Sequence, residues 1–176
     1  MNEHQRKLVF SHQSDEYITP KWLFDKLNEC YHFTLDPCAN IINHQCDKYY
    51  TMEDDGLSKS WVNENVFINP PYSNIKAWIK KAHDESYISR KNYYVLLVPS
   101  RTDTRWFHDY VLDCAIEVNF IRGRLKFDNP MFPSWRADGS HKVSPAPFPS
   151  MVIVYNADIY HWNCCTDIGS IEKDKV

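Results

Sequence analysis

Asn69-Pro70-Pro71-Tyr72 is the stretch whose residue types can do chemistry. The Asn69 carboxamide carries an acceptor oxygen and two donor hydrogens, and the Pro70 carbonyl is an acceptor that proline retains. Two such acceptors can take both hydrogens of one exocyclic amine and turn its lone pair out of the ring plane, toward an electrophile. Tyr72 supplies a ring on which a flat nitrogenous base can stack. Each proline holds φ near one value, and Pro71 biases Pro70 toward an extended conformation. The segment is therefore stiff and loses little entropy when it aims its groups at a ligand.

A strand must position these residues. Glu64-Asn65-Val66-Phe67-Ile68 reads as a short buried strand. Ser73 and Asn74 then lead into a helix with Ile75, Trp78, Ile79 and Ala82 on one stripe. The motif thus falls in the turn after a strand's C-terminal end, where open α/β sheets place their sites. Lys76, Lys80 and Lys81 lie largely off the stripe, facing either phosphates or solvent.

The other elements follow the same logic. Residues 93–98 form a continuous apolar run bounded by Asn92 and Pro99, as in a central parallel strand. After it, Asp103 or Thr104 can cap a helix bearing Trp106, Phe107, Tyr110, Val111 and Cys114. Tyr31, Phe33 and Leu35 alternate like a strand that ends on Asp36, where Pro37 turns the chain. Upstream, Thr19 can cap a helix with Pro20 at its first position. Leu23, Leu27 and Cys30 share that helix's apolar face, with Trp22 and Lys26 beside it. Residues 115–120 are a further strand candidate. Gly123 after them permits a hairpin or bulge, and residues 150–155 read as the strand that closes the sheet.

At 176 residues the chain suits a single domain. We read residues 1–14 as a loose polar arm, 15–160 as the domain and 161–176 as a tail. A formal charge of -3 argues against a strongly basic polyanion binder, so contact with nucleic acid requires a local basic patch. The densest cluster is Arg122, Arg124 and Lys126, which share one face if the segment is extended. Arg101 and Arg105 suit phosphate contacts through their forked guanidinium, or ion pairs with Asp103 or Asp109. The stretch 128–149 is rich in Pro, Ser and Gly and has no periodicity, so 121–149 is a candidate recognition hairpin and loop.

The six cysteines follow a polar start without a signal-peptide pattern, which points to free thiols in a reducing cytoplasm. No apolar run approaches membrane-spanning length. Cys38, His44 and Cys46, with His32 nearby, and His161 with Cys164-Cys165 lack the paired spacings of a zinc site, and no metal is expected.

Asn-Pro-Pro-Tyr after a buried strand resembles the catalytic motif of amino-group DNA methyltransferases. Its company, in order, is Tyr17-x-Thr19-Pro20, Leu35-Asp36-Pro37-Cys38-Ala39, Asp55-Gly56-Leu57, Val98-Pro99-Ser100-Arg101, Gly123-Arg124-Leu125-Lys126-Phe127 and Ala146-Pro147-Phe148-Pro149. Over residues 17–155 this series is similar to the phage- or prophage-type DNA N-6-adenine methyltransferases, the Dam-like family.

The resemblance implies an α/β, Rossmann-like, S-adenosylmethionine-dependent methyltransferase fold. Its sheet would be mostly parallel with helices on both faces, and the strands before Asp36, Asn69 and Pro99 would be neighbours. Asn69, Pro70, Pro71 and Tyr72 would be catalytic. Tyr17, Thr19, Pro20, Asp36, Pro37, Cys38 and Ala39 would bind S-adenosyl-L-methionine, with Asp54 or Asp55 touching its adenosine part. The segment 36–40 departs from the glycine-rich loop of most such enzymes, and without glycine close backbone approach to a ligand is harder. Arg101, Arg105, Arg122, Arg124 and Lys126 would contact double-stranded DNA, with no obligate protein partner. The alternatives are methylation of the cytosine 4-amino group, of RNA adenine or of protein glutamine, or an inactive DNA-binding module. Enzymes of the cytosine type more often carry serine at the position of Asn69.

Overall fold

The computed structural model describes residues 17–127 and 145–158. The arm 1–14, the tail 161–176 and residues 128–144 of the candidate recognition segment lie outside the described residues.

The chain runs α1 (Lys21–Tyr31), β1 (Leu35–Asp36), β2 (Lys48–Tyr49), β3 (Val66–Ile68), a 3-10 turn (Tyr72–Asn74), α2 (Ile75–Ile88), β4 (Tyr94–Pro99), α3 (Arg105–Tyr110), β5 (Glu117–Phe120) and β6 (Ser150–Tyr155). The strands form one six-stranded sheet in the order β2-β1-β3-β4-β6-β5. The pairs β1-β2, β1-β3 and β3-β4 are parallel. β6 runs antiparallel to both β4 and β5, so among the described strands it alone opposes the common direction. The three strands expected beside one another are neighbours.

β3, β4 and β6 are buried along their whole length, as continuous apolar runs require when both faces of a sheet are covered. Leu23, Leu27 and Tyr31 of α1 pack with Phe67, Val95, Leu97, Val152 and Val154. Trp78, Ile79 and Ala82 of α2 and Trp106 and Phe107 of α3 pack with the alternate residues Val66, Ile68, Leu96, Val98, Met151 and Ile153. Alternation along each strand divides the core into two layers, with helices on both faces.

Several expectations are corrected. α1 starts at Lys21, with Pro20 at the N-cap position and no side-chain cap, because the Thr19 hydroxyl is engaged elsewhere. Its buried face is Leu23, Phe24, Leu27 and Tyr31, while Cys30 is exposed. Tyr31 does not begin a strand. It ends α1, and His32 follows in a left-handed conformation with φ 50. The Asn28 carboxamide oxygen accepts the Phe33 N–H at 2.7 Å and seals that end. The Tyr31–Phe33–Leu35 alternation instead reflects two rings packing 5.9 Å apart ahead of a two-residue strand. β6 is interior rather than closing the sheet, and β5 is the edge. β2 was not expected, because two polar residues at a sheet edge leave no periodic signal.

Candidate active site

From β1 the chain goes to β2 on one side and later returns to β3 on the other. Winding reverses at β1/β3, and such a switch point opens a crevice at the strands' C-terminal ends. Asp36 is the last residue of β1 and Asn69 follows β3, so both stand at that crevice.

Asn69 is held by a segment fifty residues away. Its Nδ2 donates to the Tyr17 carbonyl and, at 3.0 Å, to the Thr19 hydroxyl. Both amide hydrogens are thus engaged from one side. Among the described residues the carboxamide oxygen has only the Tyr72 hydroxyl, at 3.4 Å. The Tyr72 ring stacks on Tyr17, with centroids 5.0 Å apart and planes at 19°. Phe148 stands edge-on to Tyr72 at 5.3 Å and to Tyr17 at 5.2 Å, and Phe127 lies 5.0 Å from Tyr17. Tyr17 and Thr19, read as donor neighbours, therefore pack on the Asn-Pro-Pro-Tyr turn itself. Burial pushes the Tyr72 phenol well above its ordinary pKa, so it stays protonated near neutrality.

The turn after β1 lies against this one. Asp36 is 4% exposed. Burial raises its carboxyl from 3.8 to about 6, and N–H groups of Gln45 and Cys38 (3.1 and 3.4 Å) and His44 partly offset that rise. Among the described residues no lysine or arginine pairs with it. The backbone N–H of Asn69 donates toward the Cys38 sulfur. Burial, reinforced by Asp36, still holds that thiol well above its usual range, so it is no ready nucleophile.

The Asp-Gly-Leu loop buttresses the same turn. A Cβ on Gly56 would sit 1.9 Å from the Pro37 carbonyl oxygen, so only glycine fits. The Trp61 indole N–H donates to the Gly56 carbonyl at 3.0 Å. Asp54 and Asp55 are exposed on this loop. The Asp54 carboxylate accepts the Thr51 N–H and hydroxyl, both at 2.8 Å, which lowers its pKa. Asp55 occupies a left-handed position with φ 51.

Arg101, Arg105, Arg122, Arg124 and Lys126 are all exposed. Among the described residues no ion pair joins Arg101 or Arg105 to Asp103 or Asp109. Thr104 occupies the N-cap of α3, but its hydroxyl donates to the Arg101 carbonyl at 2.7 Å instead of capping. After β5 the chain bends at Gly123 (φ 78) rather than staying extended. Ile121 and Leu125 are buried, so Arg122, Arg124 and Lys126 still alternate outward. Lys126 bridges to Pro145, next to the rings of Phe127 and Phe148. By contrast, Lys80 and Lys81 pair with Asp84 and Glu85 along α2.

The family model for the DNA N-6-adenine-methyltransferases (Dam) matches residues 7–167. The chain belongs to this family. It is 33% identical over 116 residues to the DNA N-6-adenine-methyltransferase of Escherichia phage T1, covering 65% of this chain and 48% of that one. It is 29% identical over 117 residues to the protein of the same description from Haemophilus phage HP1 (strain HP1c1), covering 65% of this chain and 67% of that one. The chain thus spans about half the length of the phage T1 relative.

Three site features escaped the reading of single motifs. Phe127 and Phe148 line the aromatic cluster, and their presence in the ordered motif series was the available signal. Gly56 packs on Pro37, which its place in Asp-Gly-Leu hinted at. The carboxamide partners of Asn69 left no local signal.

Proposed function

We propose that the chain transfers a methyl group from S-adenosylmethionine to the 6-amino nitrogen of adenine in double-stranded DNA, as an adenine-specific DNA methyltransferase. The observation that carries this is the Asn69 carboxamide. Both of its hydrogens are taken from behind, and its oxygen is turned out beside an aromatic cluster at the switch point. Family membership supports the reading.

The residues fit the donor. The carboxylate at the end of β1 is buried, and among the described residues no lysine or arginine pairs with it, while the amino-acid end of S-adenosylmethionine carries a cationic amine. Asp36, with Pro37, Cys38 and Ala39, would hold that end, while Asp54 or Asp55 lies on the loop buttressing the same turn. When bound, the donor supplies an activated methyl group on a sulfonium. The protein's task is then placement and electrostatics.

The target adenine must leave the duplex to reach the crevice. The Asn69 oxygen and the Pro70 carbonyl take the two amine hydrogens and aim the nitrogen lone pair. As that nitrogen gains positive charge, the two oxygens stabilise the transition state more than the neutral ground state. Cys38 and Tyr72 both stay protonated, and the product amine can lose its proton to water. Tyr72 offers the stacking surface, and a base taking the face that Tyr17 covers must replace it. Arg101, Arg105, Arg122, Arg124 and Lys126 hold phosphates around the crevice, and 121–149 reads the target within a single domain, 15–160. The reaction belongs in the cytoplasm of a bacterial or phage-infected cell.

Incubation with donor and unmethylated DNA, followed by nucleoside analysis and modification mapping, tests the reading. N6-methyladenine is the expected product. 4-Methylcytosine, or no modified base, overturns it.

A further inference from the structure

We infer that the segment 17–20 is the positioning frame of the catalytic carboxamide, with Thr19 its key side chain and a demand for asparagine rather than aspartate at position 69. This rests on the adenine-methylation reading above.

An asparagine amide can sit in two orientations, and its hydrogen-bond partners decide which one holds. The Tyr17 carbonyl carries no proton, so only the NH2 group can face it within bonding distance. That contact fixes the polarity. The Thr19 hydroxyl, 3.0 Å from the same nitrogen, takes the second hydrogen and fixes the rotation. Thr19 is 5% exposed, so water does not replace it readily. With both hydrogens spent, the oxygen must point away from the segment, toward Tyr72 and the crevice. The chemistry needs that orientation, since an outward NH2 would repel an amine's hydrogens. A carboxylate at 69 would instead press an oxygen against the Tyr17 carbonyl, an acceptor facing an acceptor. The lone threonine before Pro20 is thus spent on the Asn69 amide rather than on capping α1.

The frame can be read without turnover. In 15N-labelled protein without DNA, the Asn69 side-chain NH2 signals are assigned by their loss in Asn69→Ala. Slow proton exchange is expected in the native chain and in Thr19→Ser, and faster exchange in Thr19→Val. In single-turnover methylation of DNA, Thr19→Val should slow methyl transfer about tenfold, the scale of one lost hydrogen bond. Rates are compared at saturating donor and per folded molecule, which separates this loss from any change in donor binding or stability. Thr19→Ser should recover most of the rate, and Asn69→Asp should be strongly impaired. Adding Thr19→Val to Asn69→Ala should cause no further loss, as a shared role requires. If the valine variant does not fold, Thr19→Ala against Thr19→Ser makes the same comparison.

Native rate and exchange in a folded Thr19→Val protein, additive losses in the double variant, or full activity of Asn69→Asp would each overturn the frame. If the native chain makes no N6-methyladenine, the functional reading fails instead, and the exchange measurement still decides the frame.

Discussion

β3 has an asparagine at each end, and the two are used in opposite ways. Asn65, at the N-terminal end, is saturated. Its Nδ2 donates to the carbonyls of Tyr31 (2.9 Å) and His32 (3.3 Å). Its oxygen accepts from the Tyr93 N–H at 3.1 Å and the Asn92 amide at 3.3 Å. It ties α1's last turn to the start of β4. Asn69, at the C-terminal end, has its hydrogens equally engaged, but among the described residues its oxygen meets only one long contact. One carboxamide spends its full capacity on the fold, and the other withholds an acceptor. The same contrast divides the sheet, because the buried carboxylate, the aromatic cluster and the exposed arginines collect at the C-terminal edge.

The comparison can be broken at its strongest point. Asn69→Ala should cut single-turnover methylation by about two orders of magnitude or more, the scale of losing one preorganised transition-state partner. Donor affinity should barely move, and the rate is read per folded molecule because the Tyr17 carbonyl and the Thr19 hydroxyl lose their partner. Normal turnover by the folded variant would remove Asn69 from the chemistry. Asn65→Ala should do the reverse. Leaving its backbone partners unmet should cost about 2 kcal/mol or more in chemical denaturation, with the rate per folded molecule unchanged.

Asp36 sharpens the contrast through pH. Burial favours its neutral form, raising the carboxyl from 3.8 to about 6. In the donor-free protein that contribution to stability is fully present below the lower value and is lost as pH rises through the upper one. A cationic donor needs the ionised form, so its affinity should climb about tenfold between roughly pH 5 and 7. Calorimetry across that range should show the climb, and Asp36→Asn should flatten it. A flat native profile would place the donor elsewhere.

Smaller effects belong to the DNA-facing groups. Tyr72→Ala should weaken stacking by about 1–3 kcal/mol and dim the flipping signal of a fluorescent base analogue at the target, while Tyr72→Phe keeps most of it. Replacing Arg122, Arg124 or Lys126 singly should lower the slope of log affinity against log salt by roughly one unit. Unchanged slopes in all three variants would move the phosphate contacts off this edge.

How much of this was legible in the chain depends on how local each signal is. β3, β4 and β6 were readable because a strand buried on both faces is a continuous apolar run, whatever its neighbours. The Asn-Pro-Pro-Tyr turn was readable because it sits at the end of such a run, and Asp36 because it falls within the ordered motif series. The place of β6 was not readable, since an apolar hexapeptide pairs equally well at an edge or between two strands, and only the packed sheet put it beside β4 and β5. The two-residue strands β1 and β2 owe their existence to partners rather than to propensity. The polarity of the Asn69 amide is the clearest case. Its residue type and position are written in the motif, but the direction of its oxygen is set by a carbonyl and a hydroxyl 52 and 50 residues earlier in the chain. A carboxamide is nearly symmetric in shape, so only the proton on one side and its absence on the other tell the two orientations apart, and those partners arrive only when the chain folds.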